Sequence, residues 1–379
     1  MQLETFFFTQ KTAWSVPALP ELDSERTLLL VFAAPEYRDQ QKPFEMLRDR
    51  YPSSHILGCS SAGEILDSSV ADGSVVVAAL KFERTDLKAA SAPVGTNQDS
   101  YQAGVKLAEQ LISDDLKGVF LLSPGTDVNG SELVKGLHSL LPSSIPVTGG
   151  LAGDGGWFEQ TWTFLNGDLN EDKVTAIGFY GNHIQIRFGT GGGWNIFGPE
   201  RRVTHSAGNV LYALDDEPAL ALYKRYLGER ADGLPTTALL FPLSIRNGAA
   251  GGGEVVRTVL AVDEQQQSMT FTGDIPDGAM ARLMKANVDR LVDGAMLAAA
   301  KARPDPACGK EMLSIAISCV GRRFVMNGRT DEELEITLET MPPGTRQIGF
   351  YSYGEIAPAD DSPADLHNQT MMVTTISEA

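Results

Sequence analysis

The chain has 379 residues, of which 42% are hydrophobic and 21% charged, values that are ordinary for a globular protein. Its 49 acidic and 31 basic residues give a net charge of −18, which disfavours nucleic acid and anionic lipid as partners. No apolar run is long enough to span a bilayer, and the start MQLETFFFTQ lacks the features of a secretory signal. We therefore expect no membrane insertion and a cytoplasmic location. Three widely spaced cysteines fit a reducing compartment.

The length exceeds the size at which a single core usually stops growing, so two domains are expected. Three short apolar runs predict buried strands, and each is followed by a pattern that predicts a helix. The runs are 27–34, 117–123 and 312–320, and the helices lie within 38–50, 131–141 and 331–341. Further helices are predicted over 217–235 and 281–302, and hairpins over 68–82, 161–181 and 255–273. Placing the boundary just before the helix at 217 gives domains of residues 1–214 and 215–379.

The segments that follow Pro52, Pro142 and Pro343 repeat one pattern. The eleventh residue after each proline is glycine and the twelfth is acidic, at Gly63–Glu64, Gly153–Asp154 and Gly354–Glu355. With the strand and helix upstream, this spacing indicates an internally repeated strand–helix–strand unit, two copies in the N-terminal half and one in the C-terminal half. Because hairpins surround the parallel units, the sequence predicts an α/β fold with mixed sheets and some α+β character.

Three glycine-rich loops, 149–156, 189–194 and 248–254, are candidate ligand sites. They match neither the P-loop nor the dinucleotide-binding pattern. Glycine beside an aromatic residue favours a small-molecule pocket, with backbone amides on one wall and a ring on the other; tight turns covered by packing aromatics are the alternative. The predicted pocket residues are Gly153, Asp154 and Gly192, with Arg246 and Arg257 as contacts for a carboxylate or propionate.

The repeated acids and Cys59 raise a catalytic alternative. If the units converge, Glu64, Asp154 and Glu355 can form acid–base or metal pairs; otherwise each carboxylate accepts hydrogen bonds from loop amides. Cys59 lies in GCSSAGEI (58–65), but the other repeats carry glycine and phenylalanine in its place and no base lies nearby, which favours a packing role. A hydrolase or lyase that uses Cys59 remains the alternative to a binding protein.

The histidines show no pairing at the spacing that zinc requires, so zinc is not expected. A single axial histidine can hold haem, however, and His183 and His205 flank the loop at 189–194. They are the candidate haem ligands, with Trp157 and Trp194 as further cofactor contacts. The alternative for each histidine is an ordinary, partly buried side chain.

Long motifs from about residue 27 to the end resemble the FIST family of sensory proteins. They are GCSSAGEI (58–65), PVTGGLAGDG (146–155), GPERRVTHSAGNVLYALDDEPALALYKRYLG (198–228), TFTGDIPDGAMARLMKAN (270–287), IGFYSYGEIAP (348–358) and LHNQTMMVTTISE (366–378). The resemblance implies an N-terminal and a C-terminal FIST domain and a non-enzymatic sensor of small ligands such as amino acids. FIST modules couple to histidine kinases, cyclic-di-GMP enzymes or chemotaxis receptors.

The chain is similar to the stand-alone FIST proteins, some of which resemble haem-binding nitric-oxide sensors that regulate a kinase. We therefore expect a cytoplasmic signal-transduction sensor without catalytic residues. Its expected ligand is haem, for nitric-oxide sensing, or an amino-acid-like molecule. Its expected partner is a sensor histidine kinase of a two-component system or a cyclic-di-GMP enzyme.

Overall fold

The three repeated segments fold as three copies of one unit. The computed structural model describes residues 1–95, 99–234, 236–246, 254–304, 311–358 and 363–379. The first unit consists of β1 (Gln2–Thr9), β2 (Ala13–Trp14), β3 (Thr27–Ala33), α1 (Lys42–Arg50), β4 (His55–Ser60), β5 (Glu64–Leu66), β6 (Ser69–Ala71) and β7 (Ser74–Lys81). The second consists of β8 (Asp86–Pro93), α2 (Ser100–Leu111), β9 (Leu116–Ser123), α3 (Gly130–His138), β10 (Val147–Leu151), β11 (Thr163–Leu165), β12 (Asp168–Asn170) and β13 (Lys173–Tyr180).

The third unit begins with β14 (Ile184–Gly191) and is then interrupted by an inserted subdomain, residues 195–285. The inserted subdomain contains β15 (Asn195–Ala207), β16 (Val210–Leu214), β17 (Glu217–Pro218), α4 (Ala219–Leu227), β18 (Leu243–Arg246), β19 (Glu254–Arg257), β20 (Val259–Asp263), β21 (Ser268–Phe271) and β22 (Met280–Lys285). The third unit resumes with α5 (Val288–Ala302), β23 (Met312–Cys319), α6 (Val320–Met326), α7 (Thr330–Thr340), β24 (Arg346–Ser352), β25 (Gly354–Pro358), β26 (Ala364–His367) and β27 (Met371–Glu378).

Strand pairing confirms the repeated unit. β3 pairs in parallel with β4, β9 with β10 and β23 with β24, and a helix connects the strands of each pair. The first strand of each pair is one of the three predicted apolar runs, and every residue of β3 and β23 is buried. The strands beside them are antiparallel, so the predicted α/β fold with mixed sheets is confirmed.

The hairpin that follows each unit joins the sheet of another unit. β5 and β6 of the first unit pair beside β24 of the third; β11 and β12 of the second pair beside β4 of the first; β25 and β26 of the third pair beside β10 of the second. The three sheets thereby close a ring, which we call the hub. Strands from both sides of residue 214 share two of its three sheets.

Alternate side chains of β3 show where the cores of the hub lie. Phe32 faces the centre between the three sheets, where its ring centroid lies 4.6 Å from that of Phe350 on β24. Leu29 and Val31 face the other side and pack with Phe44 of α1. The period-two burial of a central strand thus separates an inner core from an outer core covered by helices.

The inserted subdomain is an antiparallel sheet of eight strands with a core of its own. Leu220 and Tyr223 of α4 pack in this core with Phe271 of β21. Arg257 joins the subdomain to the hub: the guanidinium is 3% exposed and donates from Nη1 to the Leu366 carbonyl at 2.8 Å.

Several local predictions need correction. The helix predicted over 281–302 begins only at Val288, because Met280–Lys285 is strand β22, which pairs with β15 and β18; Asn287 caps the helix by accepting from the amide of Arg290. The helix predicted over 217–235 ends at Leu227. The hairpin over 68–82 is wrong, since β6 and β7 belong to different sheets.

The hairpin predicted over 255–273 is confirmed as the pair β20–β21. That predicted over 161–181 is confirmed in its first part, the pair β11–β12, whereas β13 joins a different sheet. Most of the loop 248–254 and Cys308 lie outside the described residues. Over the described ranges, no helix is both long enough and apolar enough to cross a membrane.

Candidate functional site

The three glycine–acid loops meet at one end of the hub, where the parallel strands of all three units end. The amide of Ala62 donates to the Tyr351 carbonyl at 2.8 Å, that of Gly153 to Ser60 at 3.1 Å, and that of Tyr353 to Leu151 at 3.2 Å. Each bond joins loops of two different units. The carboxyl ends of parallel strands are the usual place for a ligand site in α/β folds, so this end of the hub is the candidate functional face.

Close packing at all three positions, against backbone at Gly153 and against side chains at Gly63 and Gly354, explains the repeated glycines. A Cβ on Gly153 would lie 2.7 Å from the Ala62 nitrogen, and one on Gly354 would lie 2.7 Å from Leu366 Cδ1. Gly63 also has a φ of 133°, which a residue with a side chain rarely adopts. The repeated residue type therefore reflects how tightly the three loops pack at this end of the hub.

Glu64 and Glu355 are buried and hold equivalent positions. Glu64 accepts from the hydroxyl of Ser61 and from the amide and hydroxyl of Ser74, both at 2.9 Å. Glu355 accepts from the hydroxyls of Ser352 at 2.6 Å and Thr370 at 2.8 Å. Burial raises the pKa of Glu64 to about 7 and that of Glu355 to about 8, against the lowering effect of these hydrogen bonds.

Asp154 is bound differently, because four backbone amides surround it. Its carboxylate accepts from the amides of residues 157–160 at 2.8–3.1 Å and from the hydroxyl of Tyr353. Burial acts to raise its pKa, but the hydrogen bonds outweigh burial and the pKa lies below its usual value. Asp154 therefore fixes the shape of the loop 153–160.

A cleft of about 830 Å³ lies between this end of the hub and the inserted subdomain. We call it the apolar cleft. It is lined by Gly125, Thr126, Asp127, Val128, Leu151, Gly156, Phe158, Asn209, Thr237, Leu239, Leu240, Val259, Leu260, Phe271, Thr272, Phe324, Val325 and Tyr353. Aliphatic and aromatic side chains form most of its wall, as in typical small-molecule sites.

A second cleft, of about 660 Å³, lies between the first and third units. We call it the acidic cleft. It is lined by Ala34, Pro35, Glu36, Ser61, Gly63, Glu64, Val70, Asp72, Gly73, Gly155, Trp157, Arg323, Phe324, Asn327, Gly328, Thr330 and Asp331. Arg323 pairs with Asp72 at 2.8 Å from each of two nitrogens, so the basic group in this lining is already bound.

The loop held by Asp154 separates the two clefts. Gly155 and Trp157 line the acidic cleft, whereas Gly156 and Phe158 line the apolar cleft. Phe158 stacks on Tyr353, with ring centroids 4.2 Å apart and planes 13° apart. Residues 155–158 therefore form part of the wall of both clefts, so a ligand bound in either cleft would contact this segment.

The predicted pocket residues divide between this face and other places. Gly153, Asp154 and Trp157 belong to the loop between the clefts, and Trp157 is 70% exposed. Gly192 and Trp194 line neither cleft: the Gly192 carbonyl accepts from Arg322, and the indole of Trp194 donates to the Gln369 carbonyl at 2.7 Å.

The two predicted arginines and two predicted histidines also lie outside both clefts. Arg246 pairs with Glu200 at 2.9 Å on the surface of the inserted subdomain. His205 is exposed on β15, with its ring 4.8 Å from that of Tyr212, and His183 is partly buried just before β14. The structure brings none of these four side chains to the lining of a cleft.

Cys59 is fully buried in the central core of the hub. Burial raises the pKa of its thiol well above the usual value. A nucleophilic cysteine needs the opposite conditions, namely access to substrate and a lowered pKa. The environment of Cys59 suits the packing role.

The described residues at this end of the hub offer few side chains that could bind a metal ion or haem iron. Among the described residues, no three His, Cys, Asp or Glu side chains form a group that could hold a metal ion. The described linings of the two clefts contain no histidine, cysteine or methionine. Tyr353 can in principle bind haem iron, but burial and Asp154 raise its pKa, which disfavours the phenolate. The residues of the two clefts do not fit haem.

Several residues of the apolar cleft have no marker in the sequence as ligand contacts. Phe324 lies on α6, whereas Val259 and Leu260 lie on β20, and the two elements become neighbours only through tertiary structure. Tyr353 lies between β24 and the repeated Gly354. Its position directly after a parallel strand was the feature of the sequence that could have identified it as a ligand contact. The same signal applies to residues 124–128, which follow β9.

Comparison with known proteins gives two family matches. The model of the FIST N domain matches residues 27–217, and that of the FIST C domain matches residues 219–358. The chain is also similar to MJ1623, an uncharacterised protein of Methanocaldococcus jannaschii, with 24% identity over 366 residues, 85% of this chain and 68% of that protein. Both matched segments contribute to the wall of the apolar cleft, for example through Phe158 and Leu260.

Proposed function

The chain belongs to the FIST family, whose domains sense small ligands in signal transduction, and from this premise we propose that it is a sensor whose ligand binds in the apolar cleft. One observation carries the proposal. The cleft is walled by residues of both matched segments and lies at the carboxyl ends of the hub strands. A ligand there would touch both parts of the molecule at once.

Such a ligand can shift the arrangement of the inserted subdomain on the hub. Polar contacts between the two bodies hold the present arrangement. Arg257 donates to Leu366, Asn129 Nδ2 donates to Asp274 Oδ1 at 3.1 Å, and Thr272 donates to Asn368. A ligand that fits between the two bodies binds best when they are held as seen here, so it raises the population of this arrangement. A difference of a few kcal/mol in binding changes the population enough for a partner to respond.

The finer parts of the function rest on the family resemblance. We propose a sensor histidine kinase or a cyclic-di-GMP enzyme as the partner and the cytoplasm as the location. An amino-acid-like ligand remains a candidate. Haem and nitric-oxide sensing remain predictions without support from the cleft residues, and an absorption band near 400 nm after addition of hemin tests them.

The test of the proposal is a thermal-shift screen with amino acids, hemin and small aromatic compounds. A ligand present at about 100 times its Kd stabilises the native state by about 2.7 kcal/mol, which raises Tm measurably. We expect at least one compound to raise the Tm of the wild type and to lose this effect in Leu260→Trp, which narrows the cleft.

Leu297→Trp is the matched control, because Leu297 is a similarly exposed leucine on α5, outside the lining of both clefts. It should keep the full shift. A shift that survives in Leu260→Trp, or a screen in which no compound stabilises the wild type, contradicts the proposal.

A further inference from the structure

Four aromatic side chains line the apolar cleft. Phe158, Phe271, Phe324 and Tyr353 come from four separate segments and all line it. Phe158 and Tyr353 are already stacked in parallel, so a further flat ring can continue the stack or pack edge-on against the other two. The aromatic wall therefore suits a flat aromatic ligand.

The charge of the cleft restricts the ligand further. Among its described lining residues, Asp127 is the one that carries a charge. Arg257, predicted above as a carboxylate contact, is sealed between the hub and the inserted subdomain, where it donates to Leu366 and Ser131. Arg323 belongs to the acidic cleft and pairs with Asp72. A carboxylate in the apolar cleft would thus lose water without gaining a cation from the described lining.

The polar groups of the cleft are mainly acceptors. Asn209 Nδ2 donates to the Phe271 carbonyl at 2.8 Å, which leaves the amide oxygen to accept. The hydroxyl of Thr237 donates to the Arg230 carbonyl at 2.9 Å, and that of Thr272 donates to Asn368. The two hydroxyl protons and one of the two N–H groups of Asn209 are used within the protein, while oxygen lone pairs remain. A ligand with an N–H or O–H group can satisfy them.

From the aromatic rings of the wall, the absence of a cation among the described lining residues and the acceptor groups, we infer that the ligand of this cleft is an aromatic molecule that has no carboxylate and has at least one N–H or O–H donor. This inference rests on the proposed function and narrows it. It excludes free carboxylates, and with them amino acids that would be held through their carboxylate in this cleft.

Three probes with one ring system test the inference by isothermal titration calorimetry. Indole is uncharged and has a donor, 1-methylindole lacks the donor, and indole-3-acetate adds a carboxylate. We expect indole to bind, 1-methylindole to bind about 3- to 10-fold more weakly, and indole-3-acetate to bind at least about 10-fold more weakly. Indole binding should be lost in Leu260→Trp and kept in Leu297→Trp.

A charge-gain variant gives the sharper result. Leu260 lies at the mouth of the cleft with 42% of its surface exposed, so Leu260→Arg places a cation there without opening the core. It should reverse the preference, so that indole-3-acetate binds more tightly than indole. Leu297→Arg, on the surface of α5, should leave the wild-type order unchanged.

The inference is overturned if indole does not bind to the wild type, if indole-3-acetate binds as tightly as indole, or if Leu260→Arg does not favour the carboxylate. If indole-3-acetate binds as tightly as indole, the cleft still binds ligands, and the proposed sensor function is not contradicted. The sensor function fails separately if no compound in the thermal-shift screen depends on Leu260.

Discussion

At the scale of single residues, the repeated acids show how environment sets the chemistry of one sequence position. Glu64, Asp154 and Glu355 stand at the same distance from their prolines, and all are buried. Four backbone amides keep Asp154 ionised, whereas Glu355 receives mainly hydroxyl hydrogen bonds and its pKa is raised to about 8. All three side chains accept hydrogen bonds from hydroxyl or amide groups of nearby loops, which is the alternative that the sequence offered to acid–base pairs.

The raised pKa of Glu355 predicts a pH dependence of stability. The carboxyl titrates near its ordinary value of 4.5 in the unfolded chain and near 8 in the folded chain, so the folded state retains the proton between these values. The contribution of Glu355 to the free energy of unfolding is therefore fully present below pH 4.5 and is lost progressively as the pH rises toward 8.

Glu355→Gln removes this titration. Relative to the wild type, its free energy of unfolding should improve by up to about 3 kcal/mol between pH 5 and pH 8, measured by urea unfolding. Glu335→Gln, at an exposed position on α7, should show no such trend. A pH-independent difference between Glu355→Gln and the wild type would contradict the assignment.

At the scale of elements, one buried ion pair fixes α6 and α7 against the rest of the third unit. Arg322 and Glu333 are both 0% exposed and 2.7 Å apart, and Tyr351 of β24 donates to the same carboxylate at 2.7 Å. The guanidinium also donates to the carbonyls of Gly192 and Leu291. This network connects three helices (α5, α6 and α7), strand β24 and the segment that leads into the inserted subdomain.

Removing one member of the pair leaves the other charge buried without its partner. Arg322→Met should reduce the free energy of unfolding by about 3–5 kcal/mol in denaturant titration. The control is Arg329→Met, since Arg329 makes its ion pairs on the surface at 47% exposure, where solvent screens them, and its loss should have a much smaller effect. Equal effects of the two substitutions would show that the buried network does not stabilise these helices.

At the scale of the whole molecule, the exchange of hairpins makes the hub a closed ring. Each unit completes its sheet with strands from another unit, and the C-terminal strands β25 and β26 complete the sheet of β10. The inserted subdomain is the part with a sheet of its own. The predicted boundary between residues 214 and 215 therefore does not separate the molecule into independent sheets, because two sheets of the hub contain strands from both sides of it.

Fragments divided at that boundary should not fold alone. Residues 1–214 would lack β25 and β26 and leave β5 without β24, so several backbone edges and core faces would be exposed. We expect each fragment, 1–214 or 215–379, to lack cooperative unfolding and dispersed NMR signals. Co-expression should restore both properties. Cooperative unfolding of an isolated 1–214 fragment would contradict this view of the hub.

The sequence by itself determined the three parallel units, because their signals are local. Runs such as TLLLVFAA (27–34), a following helix pattern and the proline–glycine–acid spacing all fall within a few tens of residues. The hairpin predicted over 161–181 exists over 163–170, since its turn chemistry is local too. The family resemblance came from six longer motifs, three of which contain the repeated glycine–acid pairs, and membership of the FIST family is confirmed.

Only tertiary structure decided which sheet each hairpin joins and where the clefts lie. Thr163 pairs with Cys59 and Gly354 with Leu151, partners whose separation in sequence leaves no periodic trace. Arg257 follows a glycine-rich loop in the sequence, yet its buried side chain connects the inserted subdomain to Leu366 of the hub. Phe324 and Leu260 are distant in the sequence, yet both line the apolar cleft. Local patterns fix the conformation of a segment, but the choice of its neighbours depends on the burial of surfaces from the whole chain.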